Sequence, residues 1–194
     1  MICALIEKAK GYLLDPVETF RQSKDDEPAG VFTYFIALLL FNAILSAALS
    51  AIMIETLPAF ATMSWGISLP VAIFLLMLVG GFVGTLVFGA WLHLWVYIFG
   101  GRRGIMQTIN AVIYGNTPRL IFGWIPFIGF LFILWSLTLG ILGVRELQEI
   151  DGLKAILAVA LAVMIPFILL IILAAYFMVA NVTATAVPVP VAVL

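Results

Sequence analysis

Residues 153–180 read LKAILAVALAVMIPFILLIILAAYFMVA, 28 positions with one charge, Lys154, and one proline, Pro166. A bilayer core is about 30 Å thick, and about 20 mostly apolar residues in a helix cross it. This stretch is therefore long enough to span and tilt. Working outward, Val31 to Ile54 is broken only by uncharged polar residues, Asn42, Ser46 and Ser50 among them. Leu69 to Phe99 and Pro126 to Val144 are two further spans on the same criterion. Ile105 to Trp124 is a different kind of segment, because it carries Gln107, Thr108, Asn110, Asn116, Thr117 and Arg119, with Pro118 near its end. It reads either as a polar inner span sheltered by the others or as a re-entrant segment. Irregular backbone at membrane depth survives only where protein or a water cavity covers it.

The composition fits that reading. Of 194 residues, 65% are apolar and 10% charged, and the mean hydropathy is +1.26. A soluble domain of this size has too much surface for its volume to hide that much apolar area. A net charge of −1 gives no overall basic field for nucleic acid. One cysteine, Cys3, leaves no internal disulfide, four-cysteine metal site or CxxC pair, and one histidine, His93, leaves no two-imidazole chemistry.

Basic residues set the orientation. Lys8, Lys10, Arg21 and Lys24 precede the first span, Arg102 and Arg103 follow the second, Arg119 stands alone, and Arg145 and Lys154 flank the last turn. Five crossings with a cytoplasmic N-terminus put eight of these nine inside, as the positive-inside rule requires; four crossings fit less well. The expectation is an all-α polytopic bundle of five transmembrane helices. Residues 1–29 form a cytoplasmic amphipathic segment, 30–180 the membrane domain, and 181–194 a disordered tail outside the cytoplasmic membrane. Within the first segment Ile2, Leu5, Ile6, Ala9, Tyr12 and Leu13 share a helical face. Asp15-Pro16-Val17-Glu18 then reads as a capped second helix. These two helices either lie on the membrane with Leu13 and Phe20 dipping toward lipid, or pack on the bundle's own loops.

No nucleophile sits beside a base, no phosphate loop or metal motif is present, and Glu55 is the only acid between Val31 and Val144. The chain reads as a non-enzyme without cofactor or metal. Four polar residues could line an intramembrane groove: Asn42, His93, Asn110 and Tyr114. A hairpin about Gly100–Gly104 sets His93 opposite the Asn110–Tyr114 stretch. The alternative role for these groups is hydrogen bonding between helices, worth about 0.6 kcal/mol per contact in membranes. Ala43, Ala47 and Ala51 repeat at four, and Gly80 and Gly84 form a GxxxG; such faces pack helices closely, within one chain or between chains. Arg102, Arg103, Arg145 and Lys154 are candidates for contact with anionic headgroups or a protein partner. Glu55 and Arg119, both at the outer edge in this topology, are a candidate ion pair, with snorkelling of Arg119 as the alternative.

The order of features resembles the Yip family, five-span membrane proteins named for interaction with Ypt/Rab GTPases. The resemblance runs from about Leu14 to Tyr176. It rests on Leu14-Asp15-Pro16 with Glu18-Thr19-Phe20, on Tyr114 and Pro118, on Ile125-Pro126-Phe127-Ile128-Gly129 and Trp135, and on Gly143, Glu146 and Lys154-Ala155. It implies a helical bundle with a cytoplasmic N-terminus that associates with itself or other membrane proteins. The short first segment is similar to prokaryotic, archaeal members, and the Asp-Leu-Tyr-Gly-Pro motif of eukaryotic relatives is missing. The small GTPase partner of those relatives is therefore carried onto no residue here. Two roles follow: a membrane-organising scaffold or adaptor, or a lipid-handling protein of scramblase type using the polar groove.

Overall fold

The computed structural model describes residues 2–56 and 68–186, with side chains over 3–53 and 68–181. The described residues form helices joined by short turns: α1 (Ile2–Leu14), α2 (Pro16–Gln22), α3 (Pro28–Thr56), α4 (Leu69–Leu75), α5 (Gly81–Ile98), α6 (Ile105–Gly115), α7 (Thr117–Phe122), α8 (Gly129–Gln148) and α9 (Gly152–Ala186). A π-helical turn, Leu76–Gly80, joins α4 to α5 without a break. The chain divides into two units, Met1–Val159 and Ala160–Leu194. The second unit is the continuation of α9, whose Phe167, Leu169, Leu170, Ile172 and Met178 are exposed, an apolar surface suited to lipid.

Among the described residues, four helices are long and apolar enough to cross a bilayer: Pro28–Met53, Leu69–Ile98, Gly129–Gln148 and Gly152–Asn181. The segment read either as a polar inner span or as a re-entrant one is two short helices, α6 and α7, hinged at Asn116. Pro118 explains the hinge, since it has no N–H to return to the Tyr114 carbonyl. The Thr117 hydroxyl donates to that carbonyl instead, at 2.7 Å. Thr117 Oγ1 is then free to accept from the Tyr34 hydroxyl on α3, at 2.8 Å.

Helix α8 runs past the apolar stretch that announced it. Pro126 to Ile128 belong to the preceding turn, where Phe127 adopts φ 63°. At the other end the helix continues through Arg145, Glu146 and Gln148. Counting apolar residues stops at a charge; the helix does not, because these side chains find partners. Beyond residue 180, α9 continues to Ala186, into the stretch read as a tail.

The N-terminal helices form as expected and, of the two arrangements open to them, pack against the bundle. Asp15 makes no side-chain cap; the Thr19 hydroxyl donates to the Asp15 carbonyl at 2.7 Å, in place of the expected capping box. Phe20 does not reach toward lipid. It is fully buried, because Gly143 on α8 leaves room for its ring: a Cβ there would sit 2.8 Å from Phe20 Cε1 and 3.1 Å from Ala111 Cβ. Helices α6 and α8 approach closely by the same device, a Cβ on Gly115 falling 2.9 Å from Gly140 Cα. Small residues thus set the two closest approaches around α8. Replacing Gly143 with leucine should displace Phe20 at a cost of about 1–3 kcal/mol, seen as a lower unfolding midpoint in detergent and protease access to α2.

Candidate functional site

The polar groups gather at one end of the first unit, where α3 and α6 begin, α8 ends, and α1 and α2 lie. Tyr12, Phe20, Tyr34 and Tyr114 are all buried. Tyr12 stacks on Tyr114 with ring centroids 4.6 Å apart, Tyr34 meets Tyr114 edge-on at 5.5 Å, and Phe20 tilts against Tyr12 at 4.9 Å. Burial pushes the Tyr12 phenol up from its ordinary value, so it stays protonated and donates to Ser23 Oγ at 2.7 Å.

Lys8 closes this cluster. Its ammonium lies 4.7 Å from the Tyr114 ring centroid, donates to Asp26 Oδ2 at 2.5 Å and donates to the Tyr114 hydroxyl at 2.9 Å. That hydroxyl in turn donates to Asp26 Oδ2 at 2.5 Å. One cation, one phenol and one carboxylate therefore tie α1, the α2–α3 turn and α6 together. Beside them lies a cleft of about 410 Å³ lined by Ala4, Glu7, Lys8, Gly11, Thr19, Gln22, Ser23 and Asp26.

Two further links fasten the N-terminal segment. Arg21 Nε donates to Glu146 Oε2 at 3.0 Å. Lys24 Nζ donates to Glu149 Oε1 at 2.8 Å, and Arg103 Nε donates to the other oxygen at 3.0 Å. Glu149 thus joins three segments far apart in sequence. The Gln107 amide adds a bond to the Lys24 carbonyl at 2.8 Å.

A second knot centres on Gln148, which is 2% exposed. Its amide orientation is fixed by backbone: Arg103 N–H donates to Oε1 at 3.1 Å, and Nε2 donates to the Gly104 carbonyl at 2.8 Å. Nε2 also donates to Thr108 Oγ1 at 2.8 Å. Thr108 Oγ1 also shares a hydrogen bond with His93 Nδ1, 2.8 Å away. The partner of His93 is therefore Thr108, two residues nearer the hairpin turn than the expected Asn110–Tyr114 stretch. Gly101 N–H, bonded back to the Val96 carbonyl at 2.9 Å, tightens that turn and shifts the register.

Asn42 lies further along α3, where its amide donates to the Leu120 carbonyl at 3.1 Å and, longer, to the Arg119 carbonyl at 3.4 Å. Ser136 Oγ accepts from Arg119 N–H at 3.0 Å. Asn42, His93 and Tyr114 are thus each engaged by a different partner, while Asn110, 1% exposed, has no hydrogen-bond partner for Oδ1 among the described residues. Of the small-residue positions, Ala43 is buried, Ala47 half-buried and Ala51 exposed. Gly80 and Gly84 are exposed, and no atom beyond its own turn lies within 4 Å of a Cβ built on Gly84. The chain's own packing uses Gly81, against Leu39, and Gly89, against Ile109.

Among the basic candidates, Arg103 and Arg145 pair with Glu149 and Glu146. Arg102 lies over the Tyr97 ring at 3.8 Å, and Lys154 is exposed. The Glu55 side chain lies outside the described residues, and the expected pair with Arg119 with it. Sequence reading missed Lys8, Asp26, Arg21, Glu146 and Gln148. A buried-facing acid in a chain this poor in charge, Glu146 followed by Gln148, was the one available hint.

Arg103 and Lys24 hold the Glu149 carboxyl down from 4.5 to about 2. A carboxylate lowered in the folded state adds stability above its ordinary value and loses it as pH falls toward the folded one. Stability should therefore fall between about pH 4.5 and pH 2, and Glu149→Gln should flatten that part of the profile. Unfolding midpoints of the two proteins across this window provide the check.

Comparison with curated proteins and with solved structures found no match. The family model described as the Yip1 domain matches residues 10–183, covering every candidate span and the polar clusters apart from Lys8 and the first residues of the cleft. The chain belongs to the Yip1 domain family, whose members are membrane proteins that interact with other proteins and with lipids.

Proposed function

We propose that this protein is a non-enzymatic scaffold or adaptor that organises itself or other membrane proteins in the cytoplasmic membrane. In this reading the N-terminus is cytoplasmic, α6 and α7 together make the third of five crossings, and the C-terminus is outside. The observation that carries it is the fastening of α1 and α2 to the bundle by Lys8–Asp26, Arg21–Glu146 and Lys24–Glu149. A segment held this way presents a fixed face, with Ile6, Glu7, Lys10, Leu14 and Glu18 exposed along it. A fixed amphipathic face lowers the ordering cost of binding a partner.

The polar groups inside the spans support the same reading. A lipid path would need them free, whereas Asn42, His93, Thr117 and Ser136 bond within the chain. The exposed Gly80 and Gly84 supply a face for association with a second helix in lipid.

A Cβ on Gly84 meets nothing beyond its own turn within 4 Å among the described residues, so Gly84→Leu should change stability by no more than about 0.5 kcal/mol. Self-association, read by native mass spectrometry after gentle solubilisation, should drop. A wild type that is only ever a monomer without partners, or a Gly84→Leu variant that associates as the wild type does, would count against the scaffold.

A further inference from the structure

We infer that Arg119 engages lipid phosphate in the leaflet opposite the charged cluster, and that by doing so it holds the bilayer thin along the α6–α8 hairpin.

The levels follow from helix rise. Arg119 N–H meets Ser136, and Ser136 stands nine residues from Arg145 on α8, roughly 14 Å of rise. In a core about 30 Å thick, an Arg119 backbone at that height would lie near the middle. Its side chain is exposed and has no partner among the described residues. On the turn and the stretch of α8 around Ser136 the exposed residues include Ile128, Phe130, Leu131, Ile133, Leu134 and Leu137, and the exposed Thr138 hydroxyl is bonded to its own helix at the Leu134 carbonyl.

A cation on a lipid-facing surface at that depth is costly, unless its head finds water or an anion. The side chain takes the route that supplies one. Its Cγ lies 3.2 Å from where a Gly123 Cβ would be, so the stem runs along α7 toward the α7–α8 turn, over a residue with no side chain to block it. Gly123 is four residues on, roughly 6 Å higher. The guanidinium therefore sits about 20 Å above Arg145, and the turn at Gly129, sixteen residues from Arg145, about 24 Å above it.

Neither distance reaches the far side of an unperturbed core. Neighbouring helices do: α3 has 29 residues and Leu69–Ile98 has 30, roughly 44 Å of rise each. The hairpin is the short wall of the bundle. From the other side, Lys8 and Asp26 reach Tyr114, five residues before Arg119, and bring polar groups further up the same wall.

A carboxylate of this chain is the competing partner. Glu55 is the only acid between Val31 and Val144. It lies thirteen residues past Asn42 on α3, roughly 20 Å of rise above the level where Asn42 meets the Arg119 carbonyl. That separation favours the phosphate that every bilayer offers. The turn itself suits immersion near the headgroups: Ile125, Ile128 and Gly129 N–H bond to Phe122, Pro126 and Ile125 carbonyls, Trp124 Nε1 donates to the Ile121 carbonyl at 2.9 Å, and Phe127 is 98% exposed.

The test uses the full chain in nanodiscs of phosphatidylcholine with progressively longer acyl chains, following the unfolding temperature by tryptophan fluorescence. Wild type should lose stability as the bilayer thickens. Arg119→Leu should reduce that slope about twofold or more, Arg119→Lys should keep it because a lysine also snorkels, and Glu55→Gln should leave it unchanged. A wild-type slope in Arg119→Leu overturns the proposal, and so does a Glu55→Gln variant that behaves like Arg119→Leu. Slope is the readout because a general loss of stability lowers every point alike. Should Arg119→Leu not fold, a fluorophore on Phe127→Cys in a Cys3→Ser background, located with depth-graded quencher lipids, decides. In long-chain bilayers the label stays at headgroup level if the proposal holds and sinks into the hydrocarbon if it does not.

Discussion

A broken backbone must stay hydrogen-bonded where water is scarce. Pro118 removes one donor from the α6–α7 segment, and the hinge at Asn116 disturbs the ladder on either side. In hydrocarbon each unpaired group would cost several kcal/mol. Four side chains, one on α7 itself and three on the neighbouring α3 and α8, answer that demand: Thr117 for the Tyr114 carbonyl, Tyr34 behind Thr117, Asn42 for the Leu120 carbonyl and Ser136 for the Arg119 N–H. Most polar residues of the apolar helices that touch this segment are explained by it.

The same segment is the support for the N-terminal helices. Because α6 is buried nearly all round, it can carry Tyr114 and Gln107 to the underside of α1 and α2 while Thr108 faces Gln148 and His93 on the other side. Gly115 and Gly143 let the backbones come close enough for those short side chains to reach. Charge pairing then adds position more than energy: Arg21 and Glu149 are substantially exposed, and exposed pairs contribute little stability. Their value lies in fixing where the N-terminal segment sits against the bundle.

The four long spans and the two N-terminal helices were legible because each is a local pattern, an apolar run or a spacing of three and four. The polar third segment was legible as unusual, and Pro118 marked the place, but the hinge at Asn116 depends on what stands ready to pair the freed carbonyl. Gln107, Asn110, Tyr114 and Thr117 do recur at helical spacing, yet Gln107, Tyr114 and Thr117 bond to different neighbours, since a helix surrounded by protein has no single functional face. Lys8 and Tyr114 are 106 residues apart, and Arg21 and Glu146 are 125 apart; no local pattern announces such pairs. The sequence left two readings open for Phe20 for a related reason, since the space that receives it is beside a glycine on another helix. The match to the Yip1 domain over residues 10–183 agrees with the resemblance that those scattered residues carried.

Residue-resolved hydrogen exchange on the full chain in lipid nanodiscs tests most directly whether the polar residues of the spans hold the broken helix together. The α7 amides should be strongly protected in wild type, and Ser136→Ala should raise exchange selectively at Arg119, whose N–H it accepts. Free exchange across α7 in wild type, or a uniform rise over the whole bundle in Ser136→Ala, would contradict the account.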